Sequence, residues 1–373
     1  MKVLKIFAAL LLVLCMLFSL CSCFDKNDNV FYAGDDGGEF TASKKKKEKS
    51  VVVEGDLEIH FLELGNKYTG DCTYIKAGDT DILIDAGSKV SSVKTIDSYI
   101  SQYVTDKVIE YVIVTHAHLD HYAGFATNEK TDSLFDLYEC KNIIDFSQIT
   151  SGKEKQSSYK NYIRERDDEI KKGAAHYTAD KCIEMGGDFD LGDGIVLTVL
   201  DSYYYYNRAK SENDHSVCTM LSDGKNSYLF TGDLEAEGEE KLVEMNELPE
   251  VKLYKAGHHG SKTSSSDKLL RVIKPEIVCV CCCCGSSEYT DIPESQFPTQ
   301  QFIDRIAPYT DAVYVTTLCV DYEKGKIESM NGNITVRSID GEVSVICSAS
   351  SDKLKDTKWF KNNRIIPKAW QKQ

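Results

Sequence analysis

Four side chains that bind metals and carry protons fall within six residues of the segment VTHAHLDHYAGF: His116, His118, Asp120 and His121. The chain holds eight histidines in all, so three of them in one H-x-H-x-D-H run is a strong concentration. On an extended or turning backbone, residues two apart face the same way, so His116 and His118 can grip one cation while Asp120 and His121 reach a neighbour. Imidazole and carboxylate together suit zinc, manganese or iron. Two such ions lower the pKa of a shared water toward neutrality, producing hydroxide, and polarise the bond under attack, which is the chemistry of hydrolysis. A dinuclear site needs ligands from elsewhere. Asp233, in YLFTGDLE, follows an apolar run, and one carboxylate there could bridge two metals about 3.5–4 Å apart. His258 and His259, in LYKAGHHGSKTSSS, follow another. Asp120 can orient the hydroxide, and Ser261, Lys262 and the first amides of a helix near Ser264 can neutralise an oxyanion or phosphate.

These groups need elements to position them. LEIHFLEL and DILIDAG read as strands, the second ending in a glycine turn. Val93, Ile96, Tyr99, Ile100, Tyr103 and Val104 recur at helical spacing and lead into an apolar strand at residues 111–114. The histidine run therefore sits on the loop leaving a buried strand. Residues 126–190 are more polar, with a helix over Tyr159–Lys172, and read as an elaboration within the domain. Beyond them, GIVLTVL, SVCTML, SYLFTGD and VKLYK are strands, EAEGEEKLVEMNE and SSSDKLLRVIK are helices, and AVYVTTL, GNITVRSI and GEVSVICS close the pattern. Strands and helices interleave on both sides of the histidine run, which predicts one layered α/β domain over residues 51–350.

Fourteen cysteines invite a disulfide framework, but five of them, Cys279 and Cys281 to Cys284, lie in one apolar segment between Pro275 and Gly285. That is the pattern of a fully buried strand. Adjacent strand residues point to opposite faces, so these thiols cannot converge on one metal, and they read as small core hydrophobes. The run Tyr203 to Tyr206 reads as loop packing, with stacking on a base, a sugar or a cation as the alternative.

Lys2 and Lys5 precede an apolar run from Ile6 to Leu20, the build of an export signal. Its end, Leu20-Cys21-Ser22-Cys23, resembles a bacterial lipobox, so residues 1–23 are expected to be a lipoprotein-type signal and the protein to be extracytoplasmic and membrane-anchored. Residues 24–50, ending in Lys44 to Lys47 and Lys49, are too polar to build a core and read as a tether; residues 351–373 read as a C-terminal tail. Lys plus Arg at 44 against Asp plus Glu at 59 gives a formal charge of −15, which argues against long nucleic acid as the partner.

Taken together, H-x-H-x-D-H, T-G-D and G-H-H-G-S resemble the metallo-β-lactamase superfamily, and within it the secreted hydrolase domain of the ComEC competence proteins. The resemblance spans residues 57–348 and implies a four-layer αββα sandwich with metals at one edge of the two sheets. It further implies that His116 and His118 hold a first metal, that Asp120, His121 and His258 hold a second, and that Asp233 bridges them. His259 is then free to contact substrate, with exchange between the two neighbours open; His215, in NDHSV, falls where many relatives place a third histidine on the first metal. Two divalent ions, zinc foremost with manganese or iron as alternatives, are implied. Many ComEC-like domains carry a further histidine segment after the cysteine strand, where this chain has GSSEYTDIPESQFP. The resulting expectation is a phosphodiester hydrolase acting on a nucleotide, a small phosphodiester or a wall polymer. The alternatives are lactam, lactone or thioester hydrolysis, or a binding lipoprotein whose metal site is not catalytic.

Overall fold

The computed structural model describes residues 56–128 and 131–372. The expected signal and tether lie outside the described residues, and among those no helix is long and apolar enough to cross a membrane.

Among the described residues, sixteen strands form two sheets of eight. The first half of the chain supplies β1 (Leu57–Phe61), β2 (Thr73–Ala77), β3 (Thr80–Ile84), β4 (Val108–Ile113), β5 (Glu139–Asp145) and β6 (Ala175–Thr178). Next come β7 (Asp188–Gly192), β8 (Ile195–Val199), β9 (Thr219–Ser222), β10 (Ser227–Phe230), β11 (Leu253–Lys255) and β12 (Ile277–Cys284). The last four are β13 (Val313–Asp321), β14 (Lys326–Ser329), β15 (Ile334–Ile339) and β16 (Glu342–Cys347). One sheet runs β16-β15-β1-β2-β3-β4-β5-β6 and the other β14-β13-β12-β11-β10-β9-β8-β7. Each sheet has a parallel segment: β3 to β6, running to one edge of the first sheet, and β10 to β13 in the second.

The cysteine strand shows how the layers stack. Alternation along β12 sends Cys279 and Cys281 into the core between the sheets, where Phe61 of β1 meets Phe230 of β10 with ring centroids 6.4 Å apart. Val278, Val280, Cys282 and Cys284 face the other way, onto the helices Asp267–Ile273 and Gln300–Ile306 through Leu269, Leu270, Phe302 and Ile303. On the far side of the first sheet, the helices Ser92–Ile100 and Ser157–Lys172 bury Val93, Ile96, Ile100 and Tyr162. The order helix, sheet, sheet, helix is the expected αββα sandwich.

Three details go beyond the sequence reading. The turn-rich stretch after β1 holds β2, and the polar region 126–190 holds β5 and β6, which extend the first sheet. Of the expected tail, the described residues 351–372 pack onto the domain: Leu354, Phe360 and Trp370 are buried against the outer face of the second sheet. Each such side chain contributes about 1.5–3 kcal/mol of burial, enough to hold the segment in place.

A candidate metal centre at the strand ends

Every residue of the histidine run lies where parallel strands stop. At such carboxyl ends the backbone leaves the sheet and side chains turn into a crevice. From the first sheet, β3 delivers Asp85 and β4 delivers Thr115 and His116, with His118 on the following turn and Asp120 in the first turn of the helix that it caps. The short helix Leu119–Tyr122 carries His121. From the second sheet, β10 leads through Thr231 and Gly232 to Asp233, and β11 leads to the turn Gly257–Gly260.

The geometry is tight. His121 Nε2 is 3.1 Å from Asp233 Oδ2, and His116 Nε2 is 2.9 Å from His118 Nδ1 and 4.0 Å from the same Asp233 oxygen. His259 Nε2 stands 3.3 Å from Asp233 Oδ2 and 3.5 Å from Asp120 Oδ2. His116, His121 and Asp233 form one close group of potential ligands, and Asp120, His121 and His259 a second, both sharing His121.

The outer ring of contacts fixes these ligands. Asp85 accepts from Thr115 N–H and Thr115 Oγ1, each at 2.8 Å, and its Oδ2 lies 2.7 Å from His121 Nδ1. That carboxylate sets the tautomer and leaves His121 Nε2 to face the centre. His259 Nδ1 donates to the Cys281 carbonyl at 2.9 Å, with the same result. Ser216 Oγ accepts from Asp233 N–H at 3.0 Å and lies 3.4 Å from His116 Nδ1. Asp71 packs behind His259, its Oδ1 3.2 Å from Nδ1, and forms a buried ion pair with Lys255. Gly232 is required where it is: its φ is +53°, and a Cβ there would meet Ser216 Oγ at 2.9 Å.

Electrostatics sharpen the picture. Burial alone would depress His121, but Asp233 and Asp85 hold it well above the usual histidine range. His259 is raised against burial in the same way, by Asp233 and Asp71. Asp233, which burial alone would raise, is held well below the ordinary carboxylate range by His121 and His259. His116 goes the other way: burial, with His121 beside it, pushes it down and keeps its imidazole neutral. Buried Asp233 Oδ1 and His259 Nε2 have no hydrogen-bond partner among the described residues. Orphaned atoms of this kind in a buried cluster need an explanation, and imidazole nitrogens and carboxylate oxygens aimed at one another fit a divalent cation.

The sequence candidates land unequally. His116, His118, Asp120, His121 and Asp233 come together. Of the adjacent pair, His259 rather than His258 enters the close groups: His258 Nδ1 is 2.9 Å from Thr263 Oγ1, and its Nε2 is 3.9 Å from Asp233. Both residues adopt positive φ, +46° and +56°, which turns the second ring inward onto Cys281. His215 stands apart. The turn Glu212–His215 aims its ring at the Tyr204 carbonyl, 3.2 Å from Nδ1, and brings the next residue, Ser216, to the cluster instead. Lys262 is exposed and makes no ion pair among the described residues. The helix expected to open its amides near Ser264 starts at Asp267; the N–H groups of Ser265 and Ser266 are already bound to Glu239, both at 2.6 Å. Asp71, Asp85, Ser216 and Tyr289 were not singled out from sequence. Tyr289 lies in the GSSEYTDIPESQFP segment and its hydroxyl donates to Asp120 Oδ2 at 3.0 Å, although the residue is 57% exposed. Phe297 of the same segment packs beside Tyr289 and His259, with centroids 5.5 and 5.9 Å away.

Residues 65–127 match the family model described as metallo-beta-lactamase superfamily, a span that holds Asp71, Asp85 and the whole histidine run. Over that span the chain is similar to the metallo-β-lactamase superfamily. Members of the superfamily are generally metal-dependent hydrolases. Within it the chain is ComEC-like. It is 26% identical over 263 residues to Recombination protein 2 of Haemophilus influenzae, covering 70% of this chain and 28% of that protein. It is 36% identical over 72 residues to ComE operon protein 3 of Bacillus subtilis, covering 19% and 9%. It is 35% identical over 80 residues to Transcription termination factor FttA of Methanocaldococcus jannaschii, covering 21% and 12%. The chain thus spans less than a third of each of these relatives.

Proposed function

We propose that this metallo-β-lactamase superfamily chain is an exported, lipid-anchored hydrolase of phosphodiester bonds that works with two divalent ions, zinc foremost. The observation that carries the metal-dependent reading is the pair of unpartnered buried atoms, Asp233 Oδ1 and His259 Nε2, set among His116, His118, Asp120 and His121. Those six residues would hold the ions, with His259 in the place that resemblance gave to His258. Bound there, the ions would supply Lewis-acid polarisation and activation of water at neutral pH. The chain does the rest. Asp85 and the Cys281 carbonyl present one nitrogen each of His121 and His259 to the centre. Asp120, with one oxygen held by the Tyr289 hydroxyl, is the carboxylate on the open side and orients the attacking water. Tyr289 and Phe297 wall the approach and narrow what can reach the centre.

The phosphodiester assignment rests on the G-H-H-G-S resemblance, and the export assignment on residues 1–23 of the sequence. The test is elemental analysis of the purified protein coupled to turnover of bis(p-nitrophenyl) phosphate, a β-lactam and a lactone. The expected result is bound divalent metal and hydrolysis of the phosphodiester alone, lost on chelation and restored by zinc. Activity that persists unchanged after thorough chelation sinks the metal mechanism; turnover of only the lactam or lactone sinks the substrate class.

A further inference from the structure

Beside the strand ends lies a cavity of about 530 Å³ that none of the candidate ligands explains. Its volume falls within the roughly 300–1,000 Å³ usual for small-molecule sites. On one side the loop leaving β5 and the helix Ser157–Lys172 supply Phe146 and Tyr159, whose ring centroids are 6.3 Å apart. The two rings, inclined at 40° to one another, give the cavity an aromatic wall. On the other side stand Arg208 and His215.

The charges here run against the rest of the molecule. In a chain of formal charge −15, the cavity wall carries Arg166 and Arg208. Arg166 is committed, with Nη1 3.0 Å from Asp145 and Nη2 2.8 Å from Asp167. Arg208 makes no ion pair among the described residues, so its guanidinium remains available for a planar, bidentate partner. Glu154, the carboxylate on this wall, accepts from the Gly152 N–H at 2.8 Å. His215 is buried, and because Nδ1–H donates to the Tyr204 carbonyl, Nε2 is the ring nitrogen left for a ligand. This accounts for a histidine that resemblance assigned to a metal and the fold turns elsewhere.

The cavity also neighbours the metal centre. His215 immediately precedes Ser216, whose Oγ lies 3.4 Å from His116 Nδ1.

We propose that this cavity is a subsite for a phosphoryl group carried on a planar organic body, with Arg208 and His215 binding the phosphoryl oxygens and Phe146 and Tyr159 lying against the body. Its role as a substrate subsite rests on the hydrolase reading; its capacity to bind such a ligand does not. The test is calorimetric titration of the protein, stripped of metal by chelation, with inorganic phosphate and with adenosine monophosphate. The expected result is saturable binding of both, tighter for the nucleotide, weakened at least about tenfold by Arg208→Gln and by the cavity-filling Ala209→Trp. Absence of binding to the metal-free protein, or unchanged binding in whichever of the two variants keeps its circular dichroism, overturns the proposal. Equal affinity for phosphate and nucleotide overturns the role given to the aromatic wall. A protein that binds both ligands as expected yet hydrolyses no phosphodiester keeps the subsite and loses the hydrolase reading. Hydrolysis without such binding does the reverse.

Discussion

The two sheets reach the metal centre by different means. On the first, Asp85, Thr115, His116 and His121 are tied by a hydrogen-bond network from two adjacent parallel strand ends, and apart from Asp85 the backbone takes ordinary conformations. On the second, Asp233 and His259 come from two separate turns. Those turns depend on Gly232 at φ +53° and on three consecutive left-handed residues, His258, His259 and Gly260. A non-glycine residue in that region costs about 1–3 kcal/mol, so the surrounding contacts must over-determine the turn. One half-site is preorganised by polar contacts, the other by a strained backbone that packing holds in place. The difference teaches where each half is vulnerable: the first to loss of a second-layer carboxylate, the second to anything that changes the turn.

Five substitutions probe that contrast. Asp233→Ala removes the carboxylate that both halves share, and turnover of bis(p-nitrophenyl) phosphate should fall at least about a thousandfold with the circular dichroism spectrum retained; a loss under tenfold would disprove its central place. Comparing His259→Ala with His258→Ala should separate the strained pair. The first should lose about one metal equivalent by elemental analysis and on the order of a hundredfold in activity, the second no metal and at most about tenfold in rate. The reverse ranking would restore the assignment that resemblance implied. Asp85→Asn keeps the shape but spoils the acceptor that fixes His121, and should weaken metal affinity by about 10–100-fold in a competition titration with a chromogenic chelator. Affinity equal to wild type would show that Thr115 alone suffices. The smallest effect belongs to Tyr289→Phe, which removes one hydrogen bond of about 1 kcal/mol and should cost tenfold or less in kcat without changing metal content; a loss beyond a hundredfold would give Tyr289 a direct part in the reaction.

The same contrast governs what the sequence discloses. The first half-site is contiguous, so H-x-H-x-D-H could be read as a ligand set and its strand-end position foreseen from the apolar run before it. The alternation of β12 and the fate of its cysteines followed from strand geometry alone. The choice between His258 and His259 was not legible, because it turns on backbone dihedrals in a four-residue turn. His215 misled for a related reason: one residue of offset in the turn Glu212–His215 exchanges a histidine for Ser216 at the cluster. Asp71 and Asp85 were missed because a lone aspartate beside a glycine in a turn looks like turn chemistry, and only the fold brings each against a histidine. β5 and β6 were hidden in a polar stretch because they lie toward one end of the sheet, where β6 is only partly buried.

The cysteine strand carries a consequence for the life of the chain before it folds. Once the sheets close, the five thiols of β12 are buried, and burial drives them away from ionisation, Cys281 up to about 12, so an oxidant finds no thiolate to attack. Before folding, the same run is an exposed chain of neighbouring sulfhydryls. The hazard is one of timing: reductant should raise the yield of refolding from denaturant and leave the native protein indifferent.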